Sequence, residues 1–232
     1  MKSHVLLYLI VLMVVSCGHF FPDTSGGSDS TAIVQNACSD GERLVREQEV
    51  DSVVATLLAA GNYVGGCLDT DAVYHYYQVL AQAHEKKNMF ELQSSNLKKQ
   101  LAVAIAQNNK TRMADTYFML GVAHYAMGKH EEAQDYLRQA IELADADSAR
   151  FLSRCHLMRS QIFLQIDMMD SVAAALNQAR QVYPAIVDEE LYILSEVYRA
   201  YNMGDEKDAE DKILKNKDRS GLYTLHRTPI TR

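Results

Sequence analysis

One window of the chain restricts the fold more than any other. Residues Ala114 to Asp145 read ADTYFMLGVAHYAMGKHEEAQDYLRQAIELAD. Apolar residues recur here at three- and four-residue steps on both sides of Met127-Gly128-Lys129, the spacing of two amphipathic helices joined by a tight turn. Small residues interrupt the large ones. Gly121 and Ala133 lack bulk, so two antiparallel backbones can come close, while Tyr117, Leu120 and Leu137 fill the space on either side. Ala140 is a further small position on the second helix, and Gly128 accepts the left-handed conformation that ends a helix. A lone pair of this kind cannot cover its own apolar face, so the pattern requires stacked neighbours.

Weaker copies flank the window. Upstream, Tyr77, Leu80 and Ala81 repeat the aromatic, large and small order, Lys87-Asn88 forms the turn, and Leu97 and Leu101 face inward. Downstream, Ser160 and Phe163 precede a turn at Asp167, then Val172, Leu176 and Ala179 follow, with Pro184 at the end. His156 and Arg159 stand in that copy where apolar residues are expected. A fourth unit offers Leu191, Leu194, Ser195 and Tyr198, then Gly204, Ala209 and Ile213. The units begin at Tyr74, Ala114 and Ser153, about 40 residues apart. An initial pair is expected over 32–38 and 42–60, ahead of a loop marked by Gly61, Gly65 and Gly66.

The central window resembles the tetratricopeptide repeat (TPR). Tyr117, the Leu120-Gly121 step, His124-Tyr125, Ala133, Leu137 and Ala140 fall on the motif's positions. The resemblance implies an all-α fold, an α-solenoid of TPR-like helix-turn-helix repeats over 32–217, with 218–232 a polar tail. It also implies a concave groove lined by the first helix of each pair. Its positions carry over as Asp115, Phe118, Val122, Tyr125 and Ala126 in the central unit, and as Arg154, Leu157, Gln161, Leu164 and Gln165 downstream. The upstream unit supplies His75, Gln78, Gln82, Glu85 and Lys86. Phe118 and Val122 cannot clamp a terminal carboxylate, as lysine and asparagine do in chaperone-binding TPR domains. The resemblance thus implies a groove suited to a hydrophobic peptide or an amphipathic helix. A second reading stays open, in which these side chains pack against the neighbouring repeat or the chain's own tail.

The N-terminus carries a separate signal. Lys2 precedes an unbroken apolar run from Val5 to Val15, too short for a hydrocarbon core that needs about 20 residues and typical of a secretory signal. Val14-Val15-Ser16-Cys17 resembles the lipobox of bacterial lipoproteins, which implies acylation of Cys17 and cleavage before it. The expected organisation is a signal peptide over 1–16 and a lipidated cysteine with a flexible Gly/Ser/Asp tether over 17–31. Gly18, rather than aspartate, follows the cysteine; by the sorting rule of enteric bacteria this favours the periplasmic face of the outer membrane.

Charge and chemistry narrow the role by exclusion. A net charge of −7 with no basic stripe gives no reason to expect a nucleic-acid partner. His84-Glu85 and His130-Glu131 begin like a zinc-binding HExxH, but Asn88 and Gln134 replace the second histidine. Ser95 and Lys98 have the spacing of serine acyl enzymes without the accompanying motifs, and no phosphate-binding glycine loop occurs. No catalytic residue, metal, cofactor or small-molecule substrate is expected. Beyond Cys17, the cysteines Cys38, Cys67 and Cys155 are odd in number, so full internal pairing is impossible. Cys38 and Cys67 flank the first helical segment and either stay free or bridge in an oxidising compartment. The expected function is a lipid-anchored cell-envelope scaffold that binds a protein or peptide in a TPR groove. The alternatives are a stand-alone or shortened relative of the TPR sensor half of a membrane signalling protein, and a glycan-binding lipoprotein with Tyr74, Tyr76 and Tyr77 as its platform.

Overall fold

The computed structural model describes residues 26–145, 147–166 and 168–183. The described residues hold eight α-helices: α1 (Gly26–Arg46), α2 (Val50–Ala60), α3 (Thr70–Lys86), α4 (Phe90–Ala106), α5 (Lys110–Ala126), α6 (His130–Leu143), α7 (Ala149–Gln165) and α8 (Met169–Val182), with a 3-10 turn over Gly61–Gly66. They divide into two compact units, one ending at Ala144 and the other beginning at Asp145. In the first, consecutive helices pack against one another from α1 to α6; in the second, α7 packs on α8. Cys17, the expected signal peptide, Asp167, Pro184, the fourth unit and the tail lie outside the described residues.

The turns that follow α1, α3, α4 and α5 share one device. Each places a single residue in the left-handed region: Gln48 (φ 63°), Asn88 (55°), Asn108 (51°) and Gly128 (73°). The next residue donates its N–H to the carbonyl five positions back, in Glu49 to Leu44 (3.0 Å), Met89 to His84 (2.9 Å), Asn109 to Ala104 (3.1 Å) and Lys129 to His124 (2.9 Å). This is the Schellman closure, which satisfies carbonyls that a helix end would orphan. The next helix then starts within two residues. Asp69 and Asn109 cap α3 and α5, Asp69 accepting from the N–H groups of Asp71 (2.9 Å) and Ala72 (3.2 Å) and Asn109 from Arg112 (3.0 Å).

Helix B of every pair buries the same three steps. Val53, Leu57 and Ala60 on α2, Leu97 on α4, Ala133, Leu137 and Ala140 on α6, and Val172, Leu176 and Ala179 on α8 are all at most 4 % exposed. A side chain at Gly121 would place its Cβ 2.9 Å from Leu137 Cγ and 3.3 Å from the Ala133 carbonyl. The glycine is therefore what lets α5 lie against α6. Tyr117 and Leu120 join Leu97, Ala81 and Tyr136 in one core. The α3 and α5 starts at Thr70 and Lys110 keep the 40-residue step, because both helix A copies and α4 run to 17 residues.

Two expectations at the front of the array change. The initial pair does not break between residues 38 and 42; α1 continues to Arg46 and the turn falls at Gln48. Gly41 is inside α1, and a Cβ there would meet Val79 Cγ1 at 3.1 Å and Leu57 at 3.7 Å. It serves close approach, as Gly121 does, and not chain reversal. The expected tether over 17–31 also ends in helix, since α1 starts at Gly26. Tertiary contact outweighs composition there: Thr31 Oγ1 donates to the Gly27 carbonyl (2.9 Å) and accepts from the Leu68 N–H (3.1 Å).

The α4 helix is held from both sides by histidines at matching places on α3 and α5. Asn96 Nδ2 lies 3.1 Å from His84 Nδ1 and donates to the Leu92 carbonyl at 2.8 Å; Ser94 Oγ lies 3.1 Å from His124 Nε2. Burial holds both imidazoles below the usual histidine range. Lys87 adds to this at His84 while the Leu80 carbonyl opposes it; Lys98 and Lys129 add to it at His124 while Glu132 opposes it. The Tyr136 ring closes the second site with its centroid 4.8 Å from that of His124.

Two measurements test this packing. Gly121→Val should cost about 2 kcal/mol by overpacking and Leu137→Ala about 2–5 kcal/mol by cavity formation. Because each relieves the other's defect, urea denaturation of the double variant should show a loss clearly smaller than the sum; strict additivity would mean that the two side chains do not meet. For the histidines, the unfolded chain takes up protons first as pH falls through about 6.5. Stability should therefore be full above that value, decline below it, and level off under the folded pKa values. His84→Gln with His124→Gln should flatten the urea midpoint between pH 7.5 and 5.5, and an unaltered slope would show that these sites do not drive it.

Candidate functional site

The first unit carries a groove of about 540 Å³ on the side formed by α1, α3 and α5, lined by Gln35, Asp69, Asp71, Ala72, Tyr74, His75, Gln78, Arg112 and Asp115. Helical periodicity explains why these residues share one surface. On α3 the core takes Ala72, Tyr76, Val79, Leu80 and Ala83, which leaves the 71, 75 and 78 stripe outside it. The α3 N-terminus supplies Asp69 and Asp71, and Arg112 and Asp115 reach the same space from the start of α5.

The floor is built by Tyr74 and Arg112. Tyr74 is 8 % exposed. Its hydroxyl lies 3.3 Å from Thr116 Oγ1, and the Arg112 guanidinium stands over its ring with the central carbon 4.5 Å from the centroid. Arg112 is committed further: it donates to Asp71 and, at 2.7 Å, to Gln107 Oε1. The Asp69 carboxyl is held below the usual carboxylate range, first by the Ala72 N–H and next by the Gln35 amide, which donates at 2.8 Å. His75 Nε2 meets Glu42 Oε1 at 2.9 Å. Three carboxylates thus face the groove against one guanidinium that already has carboxylate and amide partners.

Three of the carried-over groove positions, His75, Gln78 and Asp115, line this space. Phe118 and Leu157 do not present themselves as an open apolar floor; they are 8 % and 5 % exposed. Val122, Tyr125, Gln161 and Leu164 are half-buried, and Leu164 packs against the core of the second unit formed by Leu157, Val172, Leu176 and Ala179. Burial of Phe118 fits the second reading, in which these side chains pack, and the groove that forms in the first unit has a mainly polar lining. The carried-over motif positions missed Gln35, Asp69, Asp71 and Arg112, and Tyr74 was named only for a tyrosine platform. The signal that pointed toward two of them was capping chemistry, since Asp69 is an N-cap and Arg112 sits in the first turn of α5.

The remaining candidates resolve plainly. Tyr74 and Tyr76 are buried, and the Tyr76 hydroxyl donates to the Leu57 carbonyl at 2.9 Å; an exposed tyrosine platform for a glycan does not form. His84 is buried against α4 and His130 opens α6. Among the described residues no group of three or more His, Cys, Asp or Glu side chains is placed to hold a metal ion, and no helix is long and apolar enough to cross a membrane. Ser95 and Lys98 both lie on the exposed face of α4. Cys38, Cys67 and Cys155 are unbridged.

Comparison with known proteins agrees with the helical-repeat fold. Residues 71–146 match a family model described as tetratricopeptide repeat. No curated protein matches. Among solved structures, BtubC (BKLC) from P. vanneervenii is similar over 90 % of this chain and 98 % of its own, at 12 % identity and a TM-score of 0.61. TTC0263, a thermophilic TPR protein of Thermus thermophilus, is similar over 81 % and 92 %, at 18 % identity and a TM-score of 0.53. YrrB, described as a TPR protein with an unusual peptide-binding site, is similar over 81 % and 86 %, at 17 % identity and a TM-score of 0.50. The fold is accordingly all-α, an α-solenoid of TPR-like helix-turn-helix repeats, with the tetratricopeptide family match lying on α3 to α6.

Proposed function

We propose that this chain is a non-catalytic, lipid-anchored scaffold of the cell envelope that holds a protein or peptide partner in the groove of α1, α3 and α5. The observation that carries the reading is the groove itself, an open depression of about 540 Å³ with a mainly polar lining on the α1, α3 and α5 side of the first unit. YrrB shares the fold and has a peptide-binding site, which supports a peptide as occupant. Asp69, Asp71 and Asp115 favour a segment bearing lysine or arginine, and an acidic C-terminus would meet repulsion. The lipobox at Val14 to Cys17 supports anchoring on the periplasmic face of the outer membrane, and no nucleic-acid partner is invoked.

A photo-crosslinking residue placed at Gln78 in intact cells should capture a discrete partner, whereas the same residue at Glu142 on the exposed face of α6 should not. Asp115→Lys should weaken that capture by at least about tenfold through like-charge contact. Equal labelling from both positions, or capture indifferent to the charge change, would remove the groove from the mechanism. The anchor is tested separately: Cys17→Ser should move the chain from the membrane pellet to the soluble fraction, and continued sedimentation with membranes would refute acylation there.

A further inference from the structure

The two cysteines of the first unit sit on either side of one structural joint. Cys38 lies in the middle of α1, buried, with its Sγ 3.9 Å from the Ala72 carbonyl. Cys67 follows the 3-10 turn in the linker that enters α3, half-buried, with its Sγ 3.4 Å from the Asp69 carbonyl. Both sulfurs therefore rest against the opening turn of α3, and Cys67 packs on the core that contains Cys38. The linker is already stitched to α1 on both sides of Cys67. A Cβ on Gly66 would meet Ser30 Oγ at 3.0 Å, Leu68 donates to Thr31 Oγ1 at 3.1 Å, and Gln35 donates to Asp69 at 2.8 Å. Cys155, the third described cysteine, is fully buried in the second unit.

From this arrangement we infer that Cys38 and Cys67 form a disulfide under oxidising conditions, stapling α1 to the linker that enters α3. The oxidant is a disulfide-carrying exchange partner, such as a thiol–disulfide oxidoreductase or oxidised glutathione. The more accessible Cys67, as thiolate, attacks one sulfur of that disulfide; a mixed disulfide forms and one oxidant thiolate leaves. Cys38 then gives up its proton and attacks the Cys67 sulfur, expelling the second oxidant thiolate. Two protons and two electrons pass to the oxidant, which ends as two thiols. The order follows from burial. The Cys38 thiol is pushed up to about 11, by desolvation first and then by Glu42 and Cys67, so it acts as the resolving thiol. The bond encloses residues 39–66, the whole of α2 and the 3-10 turn.

The test uses the full chain carrying Cys17→Ser, with oxidised glutathione as the probe. Counted after unfolding in denaturant, the protein should fall from three titratable thiols to one, and non-reducing peptide mapping should join the Cys38 and Cys67 peptides. The thermal midpoint should rise by roughly 10 °C, since the cross-link restricts the unfolded chain. Closure should also quicken roughly tenfold per pH unit between pH 7 and 9, as the Cys38 thiolate becomes populated. Cys67→Ser, at a half-buried site, should abolish the shift without unfolding the protein. A glutathione adduct that persists on Cys67 at every pH, a bond that includes Cys155, or an unchanged thiol count would each overturn the proposal. None of these outcomes depends on the partner groove or on the lipid anchor.

Discussion

The contact between Gly121 and the Ala133–Leu137 turn sets the terms for the rest of the first unit. Two helices of ordinary bulk pack 8–10 Å apart. Removing the side chain at Gly121 lets α5 settle onto α6 so closely that even a methyl group would meet Leu137 at 2.9 Å. Leu137 can then be fully buried, a gain of about 1.5–3 kcal/mol over exposure. The same close approach appears at Gly41, where α1 lies over Leu57 and Val79. With the pairs drawn tight, the turns need only three residues, and the Schellman closures that end α1, α3, α4 and α5 follow. A longer turn would leave the next helix free to rotate, and the groove stripe of α3 would lose its register with that of α5.

The α4 helix departs from this scheme. Where α6 buries Ala133 and Ala140, α4 buries Gln93 and Gln100, at 1 % and 3 % exposure. Neither polar atom of the Gln93 amide has a hydrogen-bond partner among the protein atoms. Burying such a group costs about 1–3 kcal/mol. The polar character extends to Ser94 and Asn96, which meet His124 and His84. A single helix thus carries four buried polar side chains, two of which find their partners on the neighbouring helices. Stability is unevenly distributed as a result, with α2 and α6 held by dense aliphatic contact and α4 by directional bonds that depend on neutral imidazoles.

The fold was legible because its signals are local. Tyr117, Leu120, Gly121, Ala133, Leu137 and Ala140 carry the pair geometry within one short window, and Gly128 announces the turn. The front of the array was harder to read, because nothing local shows that Val79 presses against Gly41, and residues 26–31 look like a tether unless Leu68 is known to bond Thr31. The groove was legible only in part. Motif positions located His75, Gln78 and Asp115, but they also nominated Phe118 and Leu157, which the structure buries. Aligned positions tell which way a side chain points from its own helix. They do not tell whether another element closes over it, and an aromatic side chain at the edge of a core gains more from being covered than from waiting for a partner.

That same preference explains why the groove is polar. Tyr74 could have offered an apolar platform at its floor, yet Arg112 lies across the ring while also bonding Asp71 and Gln107. The guanidinium covers part of the aromatic face, so hydrogen-bonding and charge make up the larger share of what an incoming segment meets. Recognition built on these terms differs in kind from the apolar groove that Phe118 and Val122 implied. Exposed charges act over a Debye length of about 8 Å at physiological salt, which favours rapid capture and release over long residence. Asp71 is bound to Arg112 and Asp69 to Gln35 and the α3 N-terminus, so both carboxylates are fixed before a ligand arrives. A partner of the proposed kind would lose little free energy to ordering the site, and its affinity would report mainly the match between its own cations and a charge pattern that the helix caps have already set.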